Sequence, residues 1–139
     1  MSNPVLLDTH AWLWFFNGDR RLKAAAIKRF ENAAAAGQLW VSAISVWEIG
    51  MLESKGRITL GRSAEVWVAH ALAQPGLRLM GLEPQIALSA SRLPGTCHGD
   101  PADRILIAGA RQFDMSLATA DDGIHTYAAA GYLKIIKLV

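Results

Sequence analysis

Residues 5–16 read VLLDTHAWLWFF, and this stretch sets the architecture. Val5-Leu6-Leu7 is apolar at every position, and the run stops at a carboxylate, Asp8. A short run that is apolar throughout, instead of alternating, is the pattern of a strand buried on both faces. Thr9 to Phe16 is strongly aromatic and predicts a helix. Asn17-Gly18-Asp19 then signals a turn.

The same alternation continues along the chain. The alanine-rich stretch from Arg20 to Ala36 predicts a helix stopped by Gly37. Leu39-Trp40-Val41 predicts a second strand. Ser42 can cap a helix running to about Ser54, with Gly56 at its end. A helix over Ser63 to Ala73 precedes the turn Gln74-Pro75-Gly76, and Leu77 to Met80 is a third strand. Pro84 to Arg92 predicts a helix with proline in its first turn. Leu93 to Gly99 is a loop, and Asp100 opens a helix reaching Phe113. Ser116 to Thr119 is a fourth strand, followed by turn residues Ala120-Asp121-Asp122-Gly123, and Leu133 to Val139 is the last strand. Strands alternating with helices, with apolar strand runs, predict an α/β fold: a three-layer α/β/α sandwich around a central, mainly parallel sheet. With no repeat or linker, residues 1–139 are expected to form one domain.

Composition narrows the setting. A chain of 139 residues, 52% of them hydrophobic, can bury a sizeable core and leave apolar surface for a partner. No apolar run is long enough to span a bilayer. Met1-Ser2-Asn3-Pro4 has no basic region, and Asp8 interrupts the apolar run, so no signal peptide is expected. The single cysteine, Cys97, suits a reducing compartment. A cytoplasmic protein without membrane association is therefore expected. The net charge of +2 is too small to announce a nucleic-acid binder.

Several acids occupy positions where acids are costly. In parallel α/β sheets, ligands bind beyond the carboxyl ends of the strands, and Asp8 and Asp121 each lie just past such an end. At 100° per residue, Glu48 shares a helix face with Ile44, Met51 and Leu52, whereas Glu53 points to solvent. Asp103 shares its face with Leu106, Ile107 and Ala110. Each acid has a plainer explanation. Asp8, Asp121 and Asp122 can be turn residues. Glu48 can reach water. Asp103 can serve the start of a helix in which Asp100 is the N-cap and Pro101 the first residue. Together they ask for more: two carboxylates about 4 Å apart repel by roughly 4 kcal/mol at an effective dielectric of about 20. No lysine or arginine lies on the inward stripes, except Lys55 at a helix end. A divalent cation is the natural neutraliser, and all-oxygen ligation suits Mg²⁺ or Mn²⁺. One cysteine and four scattered histidines do not make a zinc framework. There is no phosphate-binding G-x-x-x-x-G-K-[ST] loop and no G-x-S-x-G serine elbow.

Four segments, in order, resemble the signature segments of the PIN-domain family: Val5 to His10, Val41 to Ile49, His98 to Ala108, and Leu117 to Asp121. The resemblance is nearest to the VapC-type ribonuclease toxins of toxin–antitoxin pairs and covers nearly the whole chain. It implies an α/β/α sandwich and Mg²⁺- or Mn²⁺-dependent endoribonuclease activity. It implies a homodimer and a small antitoxin protein as partner, with RNA as substrate. It maps the catalytic and metal-binding site onto Asp8, Glu48, Asp103 and Asp121, Asp8 and Asp103 being the firmest ligands. Thr9 or Thr119 would hydrogen-bond these acids. The doubled acid Asp121-Asp122 departs from the pattern; Asp121 is chosen because it follows the strand in register.

Other residues carry weaker signals. Arg20, Arg21, Lys23, Lys28 and Arg29, and then Lys55, Arg57 and Arg62, read first as solvated faces. Arg104 is a candidate for a substrate phosphate or for pairing with an acid. His10 and His98 flank two of the acids, in structural or substrate-proximal positions. Trp12, Trp14, Phe15 and Phe16 are too many for one face of a short helix, so part of the group belongs to the core and part to a partner surface. Two other readings remain: a catalytically inactive PIN-fold binding module, and a receiver-type phosphate signalling domain.

Overall fold

A computed structural model describes residues 3–139. Met1 and Ser2, which entered the signal-peptide reading, lie outside the described residues. Strands and helices follow in the order β1 (Val5–Leu7), α1 (Thr9–Asn17), α2 (Ala24–Ala35), β2 (Leu39–Ser42), α3 (Ala43–Ser54), α4 (Ala64–Leu72), β3 (Leu77–Met80), α5 (Pro84–Ser91), α6 (Pro101–Gln112), β4 (Ser116–Thr119), α7 (Asp122–Ala129) and β5 (Lys134–Lys137). The strands form one sheet in the order β3-β2-β1-β4-β5, every neighbouring pair parallel.

Alternation along β1 sorts the core into two layers. Val5 and Leu7 join the buried side chains of α1, α2 and α4, including Trp12, Phe30 and Trp67. Leu6 points the other way, with Leu106 and Ile107 of α6, Ile86 of α5 and Ile124 of α7. The apolar runs of the central strands β1 and β4 have this cause: each of their residues is buried whichever way it faces, whereas the edge strands β3 and β5 carry exposed positions.

The strand order also positions the site. The chain winds outward from β1 to β3, then crosses back to β4 on the far side of β1. The switch point therefore lies between β1 and β4, where an open parallel sheet leaves a crevice beyond its carboxyl ends. Receiver domains wind in the order 2-1-3-4-5, so the observed order removes that reading.

Two elements differ from the sequence reading. The helix expected from Arg20 starts at Ala24. Asp19 Oδ1 accepts from the Arg21 backbone N–H at 2.9 Å, and the Arg21 guanidinium pairs with Asp19 at 2.8 Å. An aspartate that bonds its own following backbone offers an alternative to a helical turn. Residues 122–129, expected to begin as a turn, instead form α7. Asp121 is its N-cap and accepts from Ile124 N–H at 2.9 Å.

Candidate active site

Four helices and two strand ends bring the acids together. Asp8 follows β1 and is the N-cap of α1, its Oδ1 accepting from Ala11 N–H at 2.7 Å. Asp100 is the N-cap of α6 and accepts from Asp103 N–H at 3.0 Å. Asp103 lies in the first turn of α6, and Asp121, past β4, caps α7. Glu48 reaches in from the middle of α3. These five acids, with Thr9, His10, Trp14, Leu106 and Ala120, line a cleft of about 350 Å³. The plain reading of these aspartates as capping residues and the reading of them as a cluster are thus compatible. A cap stands at a helix N-terminus, and three N-termini converge on the switch point.

Hydroxyls hold the acids in place. The Thr9 hydroxyl donates to Glu48 Oε1 at 2.5 Å, and its oxygen lies 2.9 Å from Ser45 Oγ. Thr119 accepts from Asp121 N–H at 3.0 Å and faces Asp8. Ser45 is fully buried, and sequence reasoning missed it. Its signal was a serine one turn before Glu48 on the inward side of the helix. His125, also passed over, donates from Nε2 to the Thr119 carbonyl at 2.7 Å and ties α7 to the end of β4.

The electrostatics are those of an unneutralised anionic pocket. No lysine or arginine is among the residues lining the cleft. Burial pushes the Asp103 carboxyl up to about 7, and the charges of Asp100, Asp121, Glu48 and Asp8 add to the shift. Burial also raises Asp8, against hydrogen bonds from Thr119 and Ala11 that pull it down. A carboxyl with four acidic neighbours and no lysine or arginine beside it belongs to a donor set that a hard divalent cation satisfies. The residues present therefore fit Mg²⁺ or Mn²⁺.

The remaining candidates separate clearly. Asp122 is exposed and does not line the cleft; its carbonyl accepts from Thr126 at 3.0 Å. Arg104 pairs with no acid. Its Nε donates to Ala90 O at 2.8 Å, and its Nη1 to Cys97 O at 3.1 Å and His98 O at 3.3 Å, which clamps the loop before α6. The basic residues on the flanks of α2 and α3 are exposed. Trp14 lines the cleft under the Arg21 guanidinium, 4.6 Å from the ring centroid. On α3 the fully buried positions are Ser45 and Ile49, while Ile44, Met51, Leu52 and Glu53 are half-buried. Glu48 therefore stands at the edge of the buried stripe, and Glu53 is less solvated than expected.

A parallel α/β/α sandwich with a carboxylate-lined cleft at its switch point defines a class of domain, and comparison with known proteins narrows the class. The chain belongs to the PIN-domain family, whose model matches residues 5–130. It is 35% identical over 123 residues to Ribonuclease VapC22 of Mycobacterium tuberculosis, covering 88% of this chain and 91% of that protein. Its fold is similar to a chain in VapBC2 from Rickettsia felis bound to a promoter DNA fragment (TM-score 0.71, 14% identity, 97% of this chain and 98% of that one). It is also similar to a chain in DNA-bound VapBC from Salmonella typhimurium (TM-score 0.67, 16% identity, 99% of each chain). Among the described residues, no helix is long and apolar enough to cross a membrane.

Proposed function

We propose that the chain is a divalent-metal-dependent endoribonuclease, hydrolysing RNA phosphodiester bonds as the toxin of a toxin–antitoxin pair. The observation that carries this reading is the meeting of Asp8, Glu48, Asp103 and Asp121 at one cleft with no lysine or arginine among its lining residues. Family membership and the ribonuclease relative support RNA as the substrate. An antitoxin protein, a second copy of the chain and a cytoplasmic setting belong to the same reading. The exposed Trp47, Leu79, Leu82, Leu88 and Phe113 supply apolar surface for such partners.

Asp8, Glu48, Asp103 and Asp121 would hold Mg²⁺ or Mn²⁺. When bound, the ion would supply a water of lowered pKa and neutralise charge at the scissile phosphate, for in-line hydrolytic displacement. The chain's own residues do the positioning. Thr9 fixes the Glu48 carboxylate, and Thr119 fixes the turn that carries Asp121. Asp103, with its carboxyl raised to about 7, would have to be deprotonated to hold the ion. The N-termini of α1, α6 and α7 face the cleft, and their dipoles favour an incoming phosphate.

The test is cleavage of a mixed RNA pool with Mg²⁺, with and without excess chelator. Cleavage that chelator abolishes is the expected result. An Asp8→Asn protein that still cuts overturns the site assignment. A wild-type protein that binds no Mn²⁺ up to millimolar concentration and cuts nothing favours the inactive binding module.

A further inference from the structure

His98 sits between the acidic cleft and a neighbouring cavity lined by Gly95, Thr96, Thr126 and Tyr127. Its Nε2 atom is buried and has no hydrogen-bond partner. That atom lies 3.6 Å from Asp103 Oδ2 and 4.0 Å from Asp121 Oδ1, beyond hydrogen-bonding range. One donor atom from each of the three residues falls within 4.8 Å of the others. Donors bound to one ion at about 2.1 Å stand roughly 3 to 4 Å apart, and both His98 distances fall in that range. Two further features hold the imidazole where it is. Arg104 clamps the His98 carbonyl at 3.3 Å. At Gly123 a Cβ would stand 3.1 Å from His98 Cδ2 and 3.4 Å from Nε2, so the ring is seated against a position kept free of side chain.

We infer that His98 is a nitrogen ligand to a cation shared with Asp103 and Asp121, and that it biases the site toward Mn²⁺ over Mg²⁺. The inference rests on the reading that the cleft binds a divalent ion. Mg²⁺ holds to oxygen donors and keeps its waters, whereas Mn²⁺ lies further along the series of ions that accept imidazole. An all-carboxylate site would discriminate less, because imidazole adds to the preference that carboxylates already give.

The test uses the full-length protein with Mn²⁺ alone, Mg²⁺ alone, and pulsed electron paramagnetic resonance of the Mn²⁺-bound form. Wild type is expected to show ¹⁴N coupling on bound Mn²⁺ and a clear affinity preference for Mn²⁺. His98→Ala and His98→Gln should lose the coupling and weaken Mn²⁺ binding by roughly ten- to a hundredfold, with Mg²⁺ binding within about twofold of wild type. His10→Ala should keep the coupling. If wild type binds Mn²⁺ and cleaves RNA without ¹⁴N coupling, or if His98→Ala keeps the preference, the inference on His98 falls and the nuclease reading stands. If wild type binds neither ion, both fall. Should the alanine variant fail to fold, the wild-type and His10→Ala spectra still decide the matter.

Discussion

Asp8 has two duties that substitution can separate. Its Oδ1 caps α1, and its charge belongs to the acidic cluster. Asparagine caps a helix about as well as aspartate, and alanine does not. Asp8→Asn is therefore expected to fold with unchanged secondary structure and to cut no RNA. Asp8→Ala should be about 1 kcal/mol less stable than Asp8→Asn, a difference of about 3 to 5 °C in Tm on thermal unfolding. If the two variants have equal Tm, the cap contributes nothing. Thr9 allows a similar separation, because its hydroxyl meets Glu48 while its methyl packs in the interior. Thr9→Val should lower the cleavage rate by roughly ten- to a hundredfold with the fold retained; an unchanged rate would show that Glu48 needs no such support.

The elements that sequence reasoning recovered are those whose apolar pattern and boundary residues agree. β1 to β4 are short apolar runs, α3 has its Ser42 cap, and α6 has the Asp100-Pro101 start. α7 was missed because the doubled acid beside Gly123 has the chemistry of a turn, and only two residues, Ile124 and Tyr127, mark its buried side. The cluster was readable in outline from Asp8, Glu48, Asp103 and Asp121. The supports at His125 and Ser45 were not: His125 reaches the Thr119 carbonyl across a helix start that reads as a turn, and Ser45 acts through Thr9, 36 residues away in sequence. The turn into β3 shows a constraint of the same non-local kind. Gly76 has φ +82°, and a Cβ there would stand 2.0 Å from the Ala34 carbonyl oxygen. Gly76→Ala is expected to cost about 3 kcal/mol in denaturant unfolding. A loss below about 1 kcal/mol would mean that α2 and β3 can part without strain.

Across the whole molecule the acids make stability depend on pH and on cation. Asp103 is raised from 3.8 to about 7, and Asp8 is raised as well. Between those values the ion-free native state holds protons that the unfolded chain has released. Stability conferred by these groups is then complete below the unfolded value and lost as pH climbs through about 7. Tm in excess chelator should fall from pH 5 to pH 8 by this linkage, and Mg²⁺ at about a hundred times its Kd should restore roughly 2.7 kcal/mol. A Tm that rises with pH in chelator would contradict the acidic cluster. The winding of the sheet has one more consequence, for synthesis. Between β1 and its sheet neighbour β4 lie six helices and two strands, and the acid at position 121 follows β4. A growing polypeptide thus harbours no finished cleft until β4 and Asp121 have left the ribosome, and products that stop short of them carry an incomplete set of acids.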